Sequence, residues 1–152
     1  MKWKVGRTSA AIRSAAVLCM WSMLQHPKYH IPATNLDEFV KLVLHLVEDE
    51  VILTRLTTAR ILKLTFRKTE NVDRKMDDVF TTLAGRADDI SREVRREALL
   101  ALEDIFITSG KFGVHYREKF NKLLDTLCLD EDQSTRQTAE GNFQMKLASW
   151  IF

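Results

Sequence analysis

The sequence contains few of the residues that interrupt helices, with 2 prolines and 5 glycines in 152 residues. Proline removes a backbone donor and glycine lowers helix propensity, so this scarcity leaves most of the chain free to be helical. Cysteine is equally scarce, and Cys19 and Cys128 both lie inside apolar segments. Two such thiols indicate neither a disulfide framework nor a metal cluster, and we interpret them as small hydrophobic residues in a reducing compartment.

The sequence also lacks an excess of charge of either sign. Its net charge is +2 and its pI is about 8.6, too near neutral to indicate a nucleic-acid or membrane partner. The composition is 45% hydrophobic and 29% charged, which is more apolar than a disordered chain. We therefore expect a folded chain of one domain or a few stacked units.

Long hydrophobic runs are missing too. The apolar stretch at residues 14–24 is much shorter than the roughly 18 residues that a membrane span requires. Arg13 adjoins this stretch and no clear cleavage site follows it before Pro27, which argues against a signal peptide. A helix within a repeat explains these residues better.

The sequence does contain one segment repeated four times. Each copy has an arginine that follows a β-branched residue, a small residue or threonine three positions later, and a larger apolar residue seven positions later. The arginines are spaced by 42, 40 and 41 residues: Arg13, Arg55, Arg95 and Arg136. An aspartate stands six positions before each of the last three: Asp49, Asp89 and Asp130. A period near 40 is typical of stacked helix pairs.

An amphipathic segment precedes each aspartate, so every unit is predicted to be a helix A, a turn with the aspartate, and a helix B with the arginine. The predicted helices cover residues 9–24, 36–47, 51–67, 75–87, 92–108, 116–128 and 133–149. Asn35 and Glu38 predict a capping box at the start of the second helix. The aspartate is suited to cap helix B and to accept from the arginine, so replacing Asp89 by alanine should cost about 1 kcal/mol.

The full pattern at residues 89–102 resembles the HEAT repeat. This resemblance implies an all-α fold, a right-handed α-solenoid of HEAT-type helical hairpins in which the arginines and aspartates form a ladder between units. One domain, residues 1–152, would then hold about three and a half repeats and seven helices. Its units would be a half repeat at 1–26 and repeats at 33–68, 73–110 and 114–152.

The first unit has a helix B without a helix A, and Arg7 stands where its aspartate would be. Solenoids normally end in polar capping repeats, so we expect this chain to be the C-terminal part, or a fragment, of a longer solenoid. A missing neighbour would leave an apolar face of the first helix open. The residues expected on that face are Ala16, Val17, Met20 and Leu24.

A more distinctive pattern opens the chain. Residues 3–17 read Trp-Lys-Val-Gly-Arg-Thr-Ser-Ala-Ala-Ile-Arg-Ser-Ala-Ala-Val, and Cys19 and Trp21 follow. This pattern resembles the C-terminal region of the HEAT-repeat dynein axonemal assembly factor family. The resemblance implies a non-catalytic cytoplasmic scaffold that helps to pre-assemble axonemal dynein arms, with dynein intermediate chain and chaperones as protein partners. The alternative is a HEAT-repeat adaptor of another role, in transport, phosphatase scaffolding or tubulin binding.

No residue pattern predicts a catalytic, cofactor-binding or metal site. His26 and His30 have the spacing of metal ligands on a helix, but Pro27 and Pro32 place them in a loop. The candidate for partner binding is a basic stripe on helix 51–67, because helices B line the concave face of HEAT proteins. A solvated helix face is at least as good an interpretation of this stripe. Its residues are Arg60, Lys63 and Arg67.

Overall fold

The computed structural model describes residues 7–68, 75–109 and 114–149, and the side chains of 7–68, 75–105, 116 and 118–141. Residues 3–6 of the opening motif lie outside this described part of the chain. The predicted unit boundaries at 1, 73, 110 and 152 also lie outside it.

The described part of the chain is all-helical and contains no strand. Each predicted helix is present, with both ends within two residues of the prediction. None of the described helices is long and apolar enough to span a bilayer. The helices are α1 (Arg7–Gln25), α2 (Leu36–Leu46), α3 (Ile52–Lys68), α4 (Met76–Gly85), α5 (Arg92–Ser109), α6 (Val114–Leu127) and α7 (Gln133–Ser149).

The predicted capping box at the start of α2 was wrong. Asn35 precedes the helix, but its side chain makes no capping hydrogen bond and instead accepts from the Thr34 hydroxyl at 3.1 Å. The reason is the short 3-10 helix Ala33–Asn35, which leads directly into α2. The Leu36 N–H donates to the Ala33 carbonyl, so this turn supplies a backbone acceptor at the helix start.

The helices pack in two sets. The helices B contact one another in chain order, α1 with α3, α3 with α5 and α5 with α7. Each helix A contacts the helix B that follows it, α2 with α3, α4 with α5 and α6 with α7. One cluster of buried apolar side chains joins both sets, with members such as Val43, Leu62, Leu83, Leu99 and Leu124. Apolar side chains are therefore buried both between the two helices of a pair and between neighbouring pairs.

Contacts between helices B depend on small and β-branched residues at repeated positions. The residues just before three of the arginines are fully buried: Thr54, Val94 and Thr135. The residues three positions after the same arginines are fully buried as well: Thr58, Ala98 and Ala139. The Thr58 hydroxyl donates to the Thr54 carbonyl at 2.7 Å, so its polar atom is satisfied within the helix. Small side chains at these positions allow the helices to approach closely.

The exposed face of α1 differs from the predicted one. Val17 and Leu24 are buried and Met20 is half-buried, because this stripe of α1 is the one that joins the core. Ala16 is exposed as predicted. The large apolar residues that α1 does expose include Ile12 (59%) and Met23 (48%), which lie on the other side of the helix.

Two leucines of α3 test the packing. Leu62 is fully buried, and Leu62→Ala should lower the free energy of unfolding by about 2–5 kcal/mol through the cavity it leaves. Leu53 is 43% exposed, and Leu53→Ala should cost less than about 1 kcal/mol. Urea denaturation followed by circular dichroism compares the two variants. Equal losses would contradict the described burial.

Candidate functional site: arginine–aspartate contacts between helix pairs

The repeated arginines lie on the four helices B, at Arg13 of α1 and at the fourth residue of α3, α5 and α7. The aspartates lie in the turns that connect each helix A to its helix B. Arg13, Arg55 and Arg95 have exposed fractions of only 6–8%, and Asp89 is 7% exposed. These seven residues, Arg13, Arg55, Arg95, Arg136, Asp49, Asp89 and Asp130, are called the ladder residues below.

Three arginines reach forward to the aspartate of the next unit. The Arg13 Nε donates to Asp49 Oδ2 at 2.5 Å. Arg55 makes a two-pronged contact with Asp89, at 2.8 Å from Nε to Oδ2 and 2.8 Å from Nη2 to Oδ1. Arg95 Nη2 donates to Asp130 Oδ1 at 2.9 Å. Planar guanidinium and carboxylate groups match in this geometry, which makes the contact both strong and directional.

Arg55, Arg95 and the last ladder arginine, Arg136, also bind the turn of their own unit. Arg55 Nη1 donates to the carbonyl oxygen of Asp49 at 2.8 Å, six residues earlier. Arg95 Nη1 donates in the same way to the backbone carbonyl oxygen of Asp89 at 2.9 Å. Arg136 Nη1 donates to the backbone carbonyl oxygen of Asp130 at 2.5 Å. The guanidinium groups of Arg55 and Arg95 therefore each bind two units, through the backbone of their own turn and the aspartate carboxylate of the next turn.

Each aspartate has a second role in its turn, and this role refines the predicted cap. The Oδ1 atoms of Asp49, Asp89 and Asp130 accept from the backbone N–H two residues later, at 2.9, 2.9 and 2.8 Å. These amides lie just before the helices B, so the aspartates order the turn that enters the helix. The first turn of α7 is capped by Asp132, whose Oδ2 accepts from the Thr135 N–H at 2.9 Å.

Asp89 is held in its charged form. Burial by itself would raise the pKa of Asp89, but hydrogen bonds from Arg55 and the Ser91 N–H, with the charges of Arg55 and Arg86, hold this pKa below its ordinary value. The Arg86 Nη1 atom lies 3.5 Å from Asp89 Oδ2. The low pKa follows from this convergence of donors on a carboxylate from which water is excluded.

The basic stripe on α3 faces acidic residues of α5. Arg60 Nε donates to Glu97 at 3.1 Å, and Lys63 Nζ lies 4.0 Å from the same carboxylate. Arg67 donates to Asp104 through Nε at 2.6 Å. Sequence reasoning could have found these pairs, since both acids lie 37 residues after their arginines and so one repeat further on, near the same level of the next helix. That the three cations bind a partner stays a prediction.

The remaining polar groups of the described residues include no cluster with the spacing of metal ligands. In the part of the chain that the structure describes, no group of three His, Cys, Asp or Glu side chains could hold a metal ion. Cys19 is exposed and Cys128 is half-buried, and both are free thiols. Burial, and after it the nearby charges of Glu140 and Asp125, raise the pKa of Cys128, so this thiol is disfavoured as a nucleophile.

These contacts define a class of protein, an all-helical chain whose consecutive helix pairs are joined by buried arginine–aspartate ion pairs. The chain is 32% identical to dynein axonemal assembly factor 5 of Mus musculus over 108 residues, 67% of this chain. It is 33% identical to dynein axonemal assembly factor 5 of Homo sapiens over 107 residues and 32% identical to that of Xenopus laevis over 111 residues. The resemblance found in the sequence is thereby confirmed: over about two thirds of its length the chain is similar to dynein axonemal assembly factor 5.

The matched region is a small part of these relatives, 12% of the mouse and human proteins and 13% of the frog protein. No protein-family model and no solved structure matches the chain.

Removal of one ladder carboxylate should be costly. Asp89→Ala leaves the buried Arg55 without its counter-charge, so we expect a loss of about 3–5 kcal/mol in the free energy of unfolding. This exceeds the 1 kcal/mol expected of a cap alone. Asp88→Ala, at the exposed neighbouring position, is the matched control and should cost less than about 0.5 kcal/mol. Urea denaturation measures both, and equal small losses would show that Asp89 acts only as a turn residue.

The ladder also predicts acid sensitivity. An unfolded aspartate titrates near pH 3.9, whereas the pKa of folded Asp89 is lower, so its contribution is complete above about pH 4 and is lost as pH falls through the folded pKa. We expect the urea midpoint to decrease below about pH 4, and to decrease less steeply in Asp89→Asn. Urea titrations between about pH 6 and pH 2 test this, and parallel curves for both proteins would contradict it.

Proposed function

We propose that this chain is a segment of right-handed α-solenoid built from HEAT-type repeats, and that it acts as a non-catalytic protein-binding scaffold in the cytoplasmic pre-assembly of axonemal dynein arms. The observation that carries the architecture is the recurrence of one contact. Arg55 with Asp89, and Arg95 with Asp130, join successive helix pairs through the same atoms at equivalent positions. A contact that recurs at every junction is what a stack of like units requires.

The proposed repeats are a half repeat at 1–26 and repeats at 33–68, 73–110 and 114–152 within one domain, 1–152. The ladder residues serve this architecture as structural links, not as a binding site. Similarity to dynein axonemal assembly factor 5 supports the role in dynein assembly. Dynein intermediate chain and chaperones are the proposed partners, without nucleic acid, membrane or cofactor.

The basic stripe of Arg60, Lys63 and Arg67 is the proposed partner-binding face. In the free chain these cations contact Glu97 and Asp104. An acidic partner segment must therefore compete with ion pairs that are only partly exposed and individually weak. Such competition favours partners with several carboxylates at matching spacing and disfavours a single acidic residue.

Capture of dynein intermediate chain tests the proposal. We expect this chain to retain dynein intermediate chain from ciliated-cell extract, scored by immunoblot. Lys63→Ala/Arg67→Ala should lower the retained amount several-fold because the partner's carboxylates lose both cations. Lys28→Ala/Lys41→Ala removes two exposed lysines elsewhere and should leave capture unchanged. Equal retention of an unrelated acidic protein would reduce the role to non-specific charge attraction.

A further inference from the structure

A groove opens between the C-terminal ends of α4 and α6, on the side of the molecule formed by helices A. Its volume is about 770 Å³. Its floor is apolar and includes Ala84, Ala87, Leu123 and Leu127. At one edge lies Leu129, a leucine with an exposed fraction of 86%. Exposure of this degree leaves an apolar side chain available for contact beside an apolar floor.

The groove lies at the opposite end from the described side-chain contacts between α4 and α6. Near the start of α6 the Tyr116 ring packs on Phe80 with centroids 5.4 Å apart, and the Tyr116 hydroxyl donates to Asp77 at 2.5 Å. At the other end stand two alanines, Ala84 on α4 and Ala87 in the short 3-10 helix Arg86–Asp88 that follows it. The residues one repeat earlier on and just after α2 are the larger Leu44 and Val47. The side chains at these positions are therefore smaller in the second unit, where they line the groove.

The rim of the groove is acidic. Asp88 and Asp125 line it with exposed side chains, and neither is ion-paired within the described part of the chain. The last turn of α6 carries no basic residue, whereas α4 is followed by Arg86, whose guanidinium lies 3.5 Å from Asp89. Asp130 also reaches the groove, but its carboxylate is already bound by Arg95. The two exposed carboxylates, Asp88 and Asp125, therefore favour a cation at this rim.

We propose that this groove docks a basic, apolar segment of a partner protein. An apolar side chain of the segment enters between Ala84 and Leu127 and contacts Leu129, while lysine or arginine side chains pair with Asp88 and Asp125. The inference rests on the proposed scaffold role and adds to it a second surface. This surface lies on the helices A and has a charge opposite to that of the stripe on α3.

A peptide of defined chemistry tests the groove. The probe is a fluorescein-labelled amphipathic peptide of leucine and lysine, and its control has glutamate in place of lysine. We expect the full chain to bind only the lysine peptide by fluorescence anisotropy. Amide shifts in nuclear magnetic resonance spectra should then concentrate at Ala84, Ala87, Leu127 and Leu129.

Two variants examine the charge and the shape of the groove separately. Asp88→Asn/Asp125→Asn should weaken binding at least about fivefold, while Asp37→Asn/Glu118→Gln, which removes two exposed charges elsewhere, should leave it unchanged. Ala84→Leu should weaken binding by filling the groove, while Ala11→Leu on the exposed face of α1 should not. Equal losses in a variant and its control would overturn the proposal, since the peptide would then bind by charge or apolarity alone.

Capture of dynein intermediate chain separates this inference from the scaffold role. If the lysine peptide does not bind the groove although the chain retains dynein intermediate chain, the groove inference fails and the scaffold role stands. If the peptide binds the groove and no dynein chain is retained, the groove is supported and the role in dynein assembly fails.

Discussion

The structure depends on guanidinium groups that are buried between one helix pair and the next. A buried cation is tolerated only when its donors are satisfied and its charge is balanced. Arg55 meets this requirement with groups from two units, the Asp49 carbonyl of its own turn and the Asp89 carboxylate of the next. Neither unit satisfies the arginine alone, so the ion pair makes the position of each unit conditional on its neighbour.

The packing of the helices B follows from this constraint. An arginine can reach the next turn only if successive helices B lie close together, and the fully buried Thr58 and Ala98 keep them close. Outside the buried contacts the same helices are linked by the partly exposed pairs of Arg60 with Glu97 and Arg67 with Asp104. These outer pairs are individually weak, but they favour the same alignment of α3 on α5.

The helices A are subject to a looser constraint. They contact their own helix B extensively, but α4 and α6 are joined mainly near the start of α6, where Tyr116 meets Phe80 and Asp77. The spacing of neighbouring helices A can therefore vary from unit to unit. Leu44 of α2 and Ala84 of α4 stand at equivalent positions, and the smaller Ala84 lines the groove.

Much of the local structure could be predicted from the sequence, because helical periodicity and scarce proline and glycine are properties of the chain itself. The helix ends were predicted within two residues, and a shared spacing near 40 residues brought out the arginines and aspartates. Two features needed the coordinates. Asn35 could not be excluded as a cap until the preceding 3-10 helix was seen, and Val17 and Leu24 could not be assigned to the buried side of α1 from apolarity alone.

The sequence by itself determined which residues form helices and which charges recur, since both depend on side-chain type and on spacing along the chain. The tertiary structure decided which partners those charges have. The Asp89 carboxylate could have bound the helix start, its own arginine or the preceding one, and only the packing of α3 against α5 brings Arg55 within 2.8 Å. The groove between α4 and α6 likewise depends on how two helices from different parts of the sequence are placed beside each other, which no local pattern encodes.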